Sequence, residues 1–232
     1  SKSSLKNTSI LVTGGPIPSP IDDVRGLSNI FTGELGSIIA LELYKRGADT
    51  LLIKGSKGIQ TPGIVPTLVA NNIDEYSDII TNSLNKKPYF AGIFSAAVAD
   101  FQPNTKLSGK ISSNSALSID FKPTKKIISQ VKNQFANIYM ITFKYEHNIS
   151  HKDLISQAHK RIKEGYPAVV ANSGNDKGEN NEQVAYLVTN SNTPQKAIGK
   201  LSIAHMIISH LEKEQSLRYS NKNNIQSHDE KD

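Results

Sequence analysis

The chain predicts an α/β fold: a mainly parallel, doubly wound, Rossmann-like sheet with helices on both faces and a flexible flap. Short apolar runs alternate with longer segments that carry apolar residues at helical spacing, the pattern of βαβ units. The first apolar run ends in Gly14 and Gly15, and one Ser-rich, poorly patterned stretch, residues 106–118, interrupts the alternation as a flap would. With 232 residues, 37% of them apolar, the chain fits one large domain better than two small ones. That domain is expected over residues 5–213, followed by a polar, disordered tail over 214–232 that lacks apolar periodicity.

Residues 9–13 (SILVT) read as the first strand, and Pro16, Pro18 and Pro20 force a loop after its glycines. A helix follows with Leu35, Ile38, Ile39 and Leu43 at helical spacing, and Lys45, Arg46 and Gly47 supply the charge and cap of its end. Residues 49–53 form the next strand, and residues 68–70 another after the Pro and Gly punctuation of 61–66. Ile73, Tyr76, Ile79, Ile80 and Leu84 share one face of a helix over 73–84, and residues 90–97 read as a buried strand. Beyond the flap, the Thr124 hydroxyl is placed to cap a helix running through Ile127, Ile128 and Val131. Strands at 138–143, 168–171 and 184–189 and helices at 151–164 and 196–213 complete the alternation.

There is no cysteine, so disulfides and thiolate metal sites are excluded. No apolar run reaches the roughly 20 residues a bilayer crossing needs, which with the missing signal-peptide core reads as a soluble cytoplasmic protein with no membrane partner. The net charge of +6 is local: residues 102–165 hold eleven Lys and Arg against four acids, an excess that accounts for the whole surplus. Such a zone suits a polyphosphate ligand or nucleic acid equally well, and a solvated basic face also accounts for most of these lysines one by one.

Candidate chemistry gathers around residues 95–101 (SAAVADF). Small residues let a ligand approach the backbone, Asp100 can orient a hydroxyl or amine, and Lys110 can neutralise phosphate, although the same alanines would also fill a tight core. A dinucleotide fingerprint fails: prolines follow Gly14 and Gly15 where a helix should start, and Lys54 stands where an acid would hold a ribose hydroxyl. Gly33 and Gly36 at a helix start still favour an anion. Just upstream, Asn29 can donate and accept through its amide and Arg25 can fork onto carboxylate or phosphate. Phe143 at a strand end could stack on a base or belong to the core, and Lys160 and Lys163 lie about one turn apart. His147 and His151 have metal-ligand spacing without a convincing helix or third ligand, and no nucleophile motif is present.

Taken together, residues 13–16 (TGGP), 21–29 (IDDVRGLSN), 33–36, 95–101, 110–113 (KISS), Phe143 and Ala171 with Asn172 resemble the phosphopantothenate–cysteine ligase family of coenzyme A biosynthesis, also called phosphopantothenoylcysteine synthetase. The resemblance covers about residues 5–213, and VR-x-x-SN and AAVADF with the later lysine are its most specific parts. It implies a reaction in which the carboxylate of 4′-phosphopantothenate attacks the α-phosphorus of CTP, with ATP as the alternative, and pyrophosphate leaves. L-cysteine then captures the acyl-cytidylate through its amino group, releasing CMP. Mg²⁺ and lysine would offset the repulsion between two anionic reactants, with the metal ligands unassigned.

By the same resemblance Asn29 holds the intermediate, Arg25 shapes the same site, and Lys110 on the flap stabilises charge, the three expected catalytic residues. Gly14, Gly33 and Gly36 would line the triphosphate with Gly15 in the same binding set, and Ala96, Ala97 and Asp100 would lie where substrate meets nucleotide. Phe143 would contact base or ribose, Lys125, Lys126, Ile127, Ile128, Lys160 and Lys163 the nucleotide, and Asn172 is a further contact. The family implies a homodimer whose flap helps complete the partner's site. Phe31, Thr32, Glu34, Ser112, Ser113 and the run Lys144-Tyr145-Glu146 depart from many members and look like the monofunctional bacterial branch, unfused to a flavin-dependent decarboxylase. Two other classes stand beside it. A nicotinamide-dependent oxidoreductase is disfavoured by Lys54 and the missing fingerprint, and a basic nucleic-acid-binding protein, suggested by pI ≈ 9.3, by the lack of a recognition helix, aromatic-basic motif or zinc ligands.

Overall fold

The computed structural model of the chain describes residues 3–61, 63–114, 116–191 and 193–229. The apolar run at the start becomes β1 (Ser9–Gly14), buried over all but its first residue, and Gly15 turns the chain out of it at φ 76°. The proline-rich segment forms only two-residue strands, β2 (Pro16–Ile17), β3 (Ser19–Pro20) and β4 (Gly26–Leu27), since proline has no N–H to give a ladder. α1 (Glu34–Lys45) starts at Gly33 and ends at Arg46 and Gly47 as expected. β5 (Asp49–Gly55), β6 (Thr67–Ala70) and α2 (Ile73–Lys86) follow, and the Asn72 side chain accepts the Glu75 N–H at 2.9 Å as the α2 cap.

β7 (Ala91–Phe94), β8 (Ala97–Val98), β9 (Phe101–Pro103) and β10 (Phe121–Pro123) lead to α3 (Ile127–Gln134) and β11 (Tyr139–Glu146). α4 (His151–Lys163), capped by Ser150, precedes β12 (Ala168–Ser173), β13 (Val184–Val188), β14 (Gln195–Ile198) and α5 (Lys200–Asp229).

One eight-stranded sheet organises the molecule in the order β14-β13-β12-β11-β7-β1-β5-β6. Every pairing from β12 to β6 is parallel, while β13 and β14 add antiparallel at one edge. Alternate residues face opposite layers. Ile10, Val12, Ile93, Ile141 and Val170 pack with Ile39 and Leu43 of α1 and Ile203, Ile207 and Leu211 of α5. Leu11, Ile53, Phe94 and Met140 pack with α2 and α3, and Val169 and Ala171 with α4. The expected mainly parallel α/β sheet covered on both faces is therefore the fold.

Several local expectations are corrected. The strand drawn over 90–97 stops at Phe94, because Ser95 Oγ donates to the Thr13 carbonyl at 2.5 Å and the Ala96 N–H donates to Thr13 Oγ1 at 3.2 Å, turning the chain across the end of β1. Thr124 does not cap α3. Its hydroxyl donates to the Ala99 carbonyl at 2.7 Å, and Lys126 stands at the cap without a side-chain bond to the helix N–H groups. Residues 195–198 are an edge strand rather than the start of the last helix, which waits for Gly199 at φ 84°.

The domain boundary expected at residue 213 is also passed, since α5 continues to Asp229. Gln215 is buried and donates to Thr8 Oγ1 at 3.2 Å, and the Arg218 guanidinium lies 5.0 Å from the Phe90 ring centre. These polar and cation–π contacts leave no apolar periodicity to read. Residues 230–232 of the expected tail lie outside the described residues, as does Ser115 of the flap. The flap itself has no regular structure in its described part and spans the loop between antiparallel β9 and β10.

Ending the chain after Lys213 is expected to cost about 1–2 kcal/mol, a melting-point loss of a few degrees by calorimetry, whereas a disordered tail would leave the transition unchanged. A second expectation concerns Glu42 of α1. A hydrogen bond from Lys45 above all, joined by His205 and Arg46 and opposed by burial, holds its carboxyl at about 2 against an ordinary 4.5. Its contribution is complete above pH 4.5 and lost as pH falls toward 2. Glu42→Gln should lower stability by about 1–2 kcal/mol at neutral pH and flatten that acid loss in pH-dependent melts.

Candidate active site

A cleft of about 560 Å³ opens where β1, β7, β11 and β12 end, the place where parallel α/β sheets hold ligands. Its first wall exists because the start of α1 lies directly on the end of β1. A Cβ on Gly33, at φ 81°, would stand 2.4 Å from the Gly15 backbone, and one on Gly36 would stand 2.8 Å from Ser95 Oγ and 3.0 Å from the Thr13 carbonyl oxygen. Gly15, Gly33 and Gly36 thus line the cleft with bare backbone. Gly14 does not. It is buried against Gly36 beneath the helix start.

Asn29 sits opposite, on the loop before α1. Its Nδ2 donates to the carbonyls of Ala97 and Val98, both at 3.1 Å, which fixes the amide and leaves Oδ1 without a donor among the described residues. Ala96, Ala97 and Asp100 form the adjoining rim. The Asp100 carboxylate accepts from Lys126 at 2.7 Å, so two expected ligand contacts are paired with each other. Lys125, Lys126, Ile127 and Ile128 line the cleft at the start of α3, where free N–H groups favour an anion and Lys125 makes no ion pair among the described residues.

Phe143 and Asn172 complete the expected wall. Phe143 is half core, packed toward α1 and α5. The more exposed aromatic surface is Phe31 against Tyr145, an edge-to-face pair 5.0 Å apart that composition did not flag. Arg161, also missed, reaches the cleft from α4 and donates to the Phe143 carbonyl at 2.6 Å. Its helix neighbours Lys160 and Lys163 face away, along a separate groove of about 630 Å³ with Lys152, His159 and Asn190, so they are not contacts of this cleft. The signal for Arg161 was its position one residue from Lys160 on a helix that covers β12, which turns it by about 100° toward the sheet end.

Neither Arg25 nor Lys110 lines the cleft of its own chain. Both belong to a contact between the 21–25 loop and the flap, where Arg25 Nη2 donates to the Ile111 carbonyl at 2.5 Å. The cleft's two carboxylates, Asp100 and Glu34, are each bonded to a lysine, Lys126 and Lys200. Among the described residues no group of three or more His, Asp or Glu could hold a metal. Neither cleft carboxylate is therefore left unpaired for a metal ion. Below the cleft, Thr13, Phe94 and Thr142 form one row across the sheet. Thr13 Oγ1 is satisfied by Ala96, whereas the fully buried Thr142 Oγ1 has no hydrogen-bond partner among the described residues.

Over residues 5–215 the chain matches the family described as DNA/pantothenate metabolism flavoprotein C-terminal domain. It is 36% identical over 176 residues to the coenzyme A biosynthesis bifunctional protein CoaBC of Thermococcus kodakarensis, covering 73% of this chain and 42% of that protein. The chain spans less than half the length of that relative. The DNA/pantothenate metabolism flavoprotein of Streptococcus pneumoniae superposes with a TM-score of 0.78 at 26% identity, covering 89% of this chain and 99% of that one. The C-terminal domain of a CoaBC protein gives 0.73 at 21% identity over 92% and 98%, a likeness of fold. Among the described residues no helix is long and apolar enough to cross a membrane.

Thr142→Val keeps the shape and removes the unpaired hydroxyl, and is expected to raise stability by about 1 kcal/mol in denaturant titrations of the protein alone.

Proposed function

Because the chain belongs to the DNA/pantothenate metabolism flavoprotein C-terminal domain family, we propose that it is the ligase joining 4′-phosphopantothenate to L-cysteine in coenzyme A biosynthesis, with CTP as the activating nucleotide. The observation that carries this reading is the Asn29 amide, fixed by two backbone carbonyls at the rim of a cleft whose opposite wall is bare glycine backbone. A carboxylate becomes a usable electrophile when one of its oxygens is made part of a phosphate leaving group. The 4′-phosphopantothenate carboxylate attacks the α-phosphorus of CTP, the bond to the β-phosphate oxygen breaks, and pyrophosphate departs. The cysteine amine then attacks the acyl carbon, loses a proton, and CMP leaves with the former carboxylate oxygen.

Both halves require two anions held together, so positioning and charge neutralisation supply most of the catalysis. Lys125, Arg161 and the N-terminus of α3 receive the nucleotide's phosphates, and the Phe31–Tyr145 pair offers a stacking face for its base. Asn29 Oδ1 accepts from the acyl-nucleotide and retains it for cysteine. A Mg²⁺ brought with the triphosphate would offset the repulsion between the two anionic reactants, alongside Lys125 and Arg161. Lys110 serves the first half-reaction, in which negative charge is redistributed. Its position outside its own chain's cleft supports a homodimer in which the flap of one copy serves the other, and Phe101, Leu117 and Phe121 at and near that hairpin leave apolar surface exposed for such an interface. The oxidoreductase reading has less support still, since Lys54 Nζ is taken by the Ile59 carbonyl at 2.5 Å and offers a ribose no acceptor.

Purified protein should release pyrophosphate from CTP only when 4′-phosphopantothenate is present and form CMP product only with cysteine. Release with neither CTP nor ATP would overturn the proposal. Lys110→Ala should slow single-turnover pyrophosphate release by about 10²-fold or more while nucleotide affinity changes little. Asn29→Ala should form the intermediate yet lose most of it before cysteine attacks, seen as pyrophosphate release outpacing product.

A further inference from the structure

Two acidic residues in the 21–25 loop have no part in the cleft, and one of them is buried. The Asp22 side chain is 0% exposed. Its Oδ1 accepts the N–H groups of Val24 at 2.8 Å and Arg25 at 2.6 Å, an ordinary Asx turn that any short acceptor could make. The other oxygen has a different task. Oδ2 accepts the N–H of Ile111, 89 residues away on the flap, at 3.2 Å, and lies 3.5 Å from Arg25 Nε.

Arg25 closes the same contact from the other side through its bond to the Ile111 carbonyl. Next to it the Asp23 N–H donates to the Gly109 carbonyl at 3.2 Å, the Gly109 N–H donates to Asp23 Oδ2 at 2.8 Å, and the Leu107 N–H donates to the Ile21 carbonyl at 3.0 Å. Lys110 therefore stands between two anchored residues, Gly109 and Ile111, and makes no ion pair of its own among the described residues.

We infer that Asp22 and Arg25 are a clamp on the root of the flap, positioning residues that set where Lys110 is presented. Burying a carboxylate is costly unless it is fully bonded. Burial works against the Asp22 charge, but the Val24, Ile111 and Arg25 N–H groups and the Arg25 guanidinium hold its carboxyl below the ordinary range. A turn alone needs only Oδ1. The fully satisfied second oxygen and the guanidinium fork are used across the contact, which ties the chain segment leading to Asn29 to the segment carrying Lys110. Arg25 thus acts through the flap backbone rather than on the reactants. The consequence for catalysis rests on the proposed role of Lys110 in pyrophosphate release, while the clamp itself is a statement about the flap.

Asp22→Asn separates the two tasks, because the amide keeps an acceptor for the turn and turns a donor toward the Ile111 N–H. In the full chain, hydrogen exchange at 107–111 and trypsin cleavage after Lys106 and Lys110 should quicken about tenfold or more while the melting point moves by no more than about 2 °C. Arg25→Lys, which leaves the carboxylate in place, should act in the same direction and serves if Asp22→Asn does not fold. Unchanged exchange at Gly109 and Ile111 in the folded variant overturns the clamp. For the reaction, Asp22→Asn should slow single-turnover pyrophosphate release about tenfold or more with the KM for CTP unchanged, yet by less than about twofold in a Lys110→Ala background. Equal losses in both backgrounds overturn the positioning role. Wild-type protein that releases no pyrophosphate overturns the functional proposal, and the exchange and proteolysis result still decides the clamp.

Discussion

The close approach of the first turn of α1 to the end of β1 is the constraint on which the cleft depends. Backbone meets backbone there, with room for hydrogen but not for a methyl group at Gly33. The helix start lines the cleft beside Phe94 and Ser95, and the 95–100 segment is turned across β1 by Thr13, which bonds both Ser95 and Ala96. Asn29 then finds the Ala97 and Val98 carbonyls in reach. A side chain at this seam would separate helix from strand and take the opposing walls of the cleft with it.

Charge is arranged on the same frame. The two carboxylates at the cleft are matched with Lys126 and Lys200, while Lys125 and Arg161 line it without an ion pair among the described residues. The flap is tied by its root to the loop that ends in Asn29, so two motifs far apart in the chain become one mechanical unit. That coupling accounts for Arg25 without placing it on a substrate.

Long elements were legible because their apolar faces repeat every three or four residues or every other one, a signal that packing against the sheet enforces. The two-residue strands β2, β3, β4 and β8 carry no such period, and β14 presents an exposed, cationic edge that resembles the start of a helix in composition. Lys160 and Lys163 show the limit of spacing arguments. Separation by three residues places both on one face of α4, but nothing local says which face meets the cleft, and the structure turns Arg161 there instead. The last helix was cut short for a similar reason, since Gln215 and Arg218 dock through polar and cation–π contacts.

By itself the sequence determined the alternating architecture and the glycine-ended first strand, while its family resemblance pointed to Asn29, Asp100 and the start of α3, which the structure places along one cleft. Those follow from periodicity, from the conformational freedom of glycine and proline's lack of a donor, and from motifs short enough to be recognised in order. Only the tertiary structure decided that Asp100 is spent on Lys126, that Phe143 belongs partly to the core, and that Arg25 grips the flap. Asp100 and Arg25 take partners that folding brings from 26 and 86 residues away, Phe143 packs toward helices equally remote in the chain, and a linear pattern carries no information about which distant group will be there.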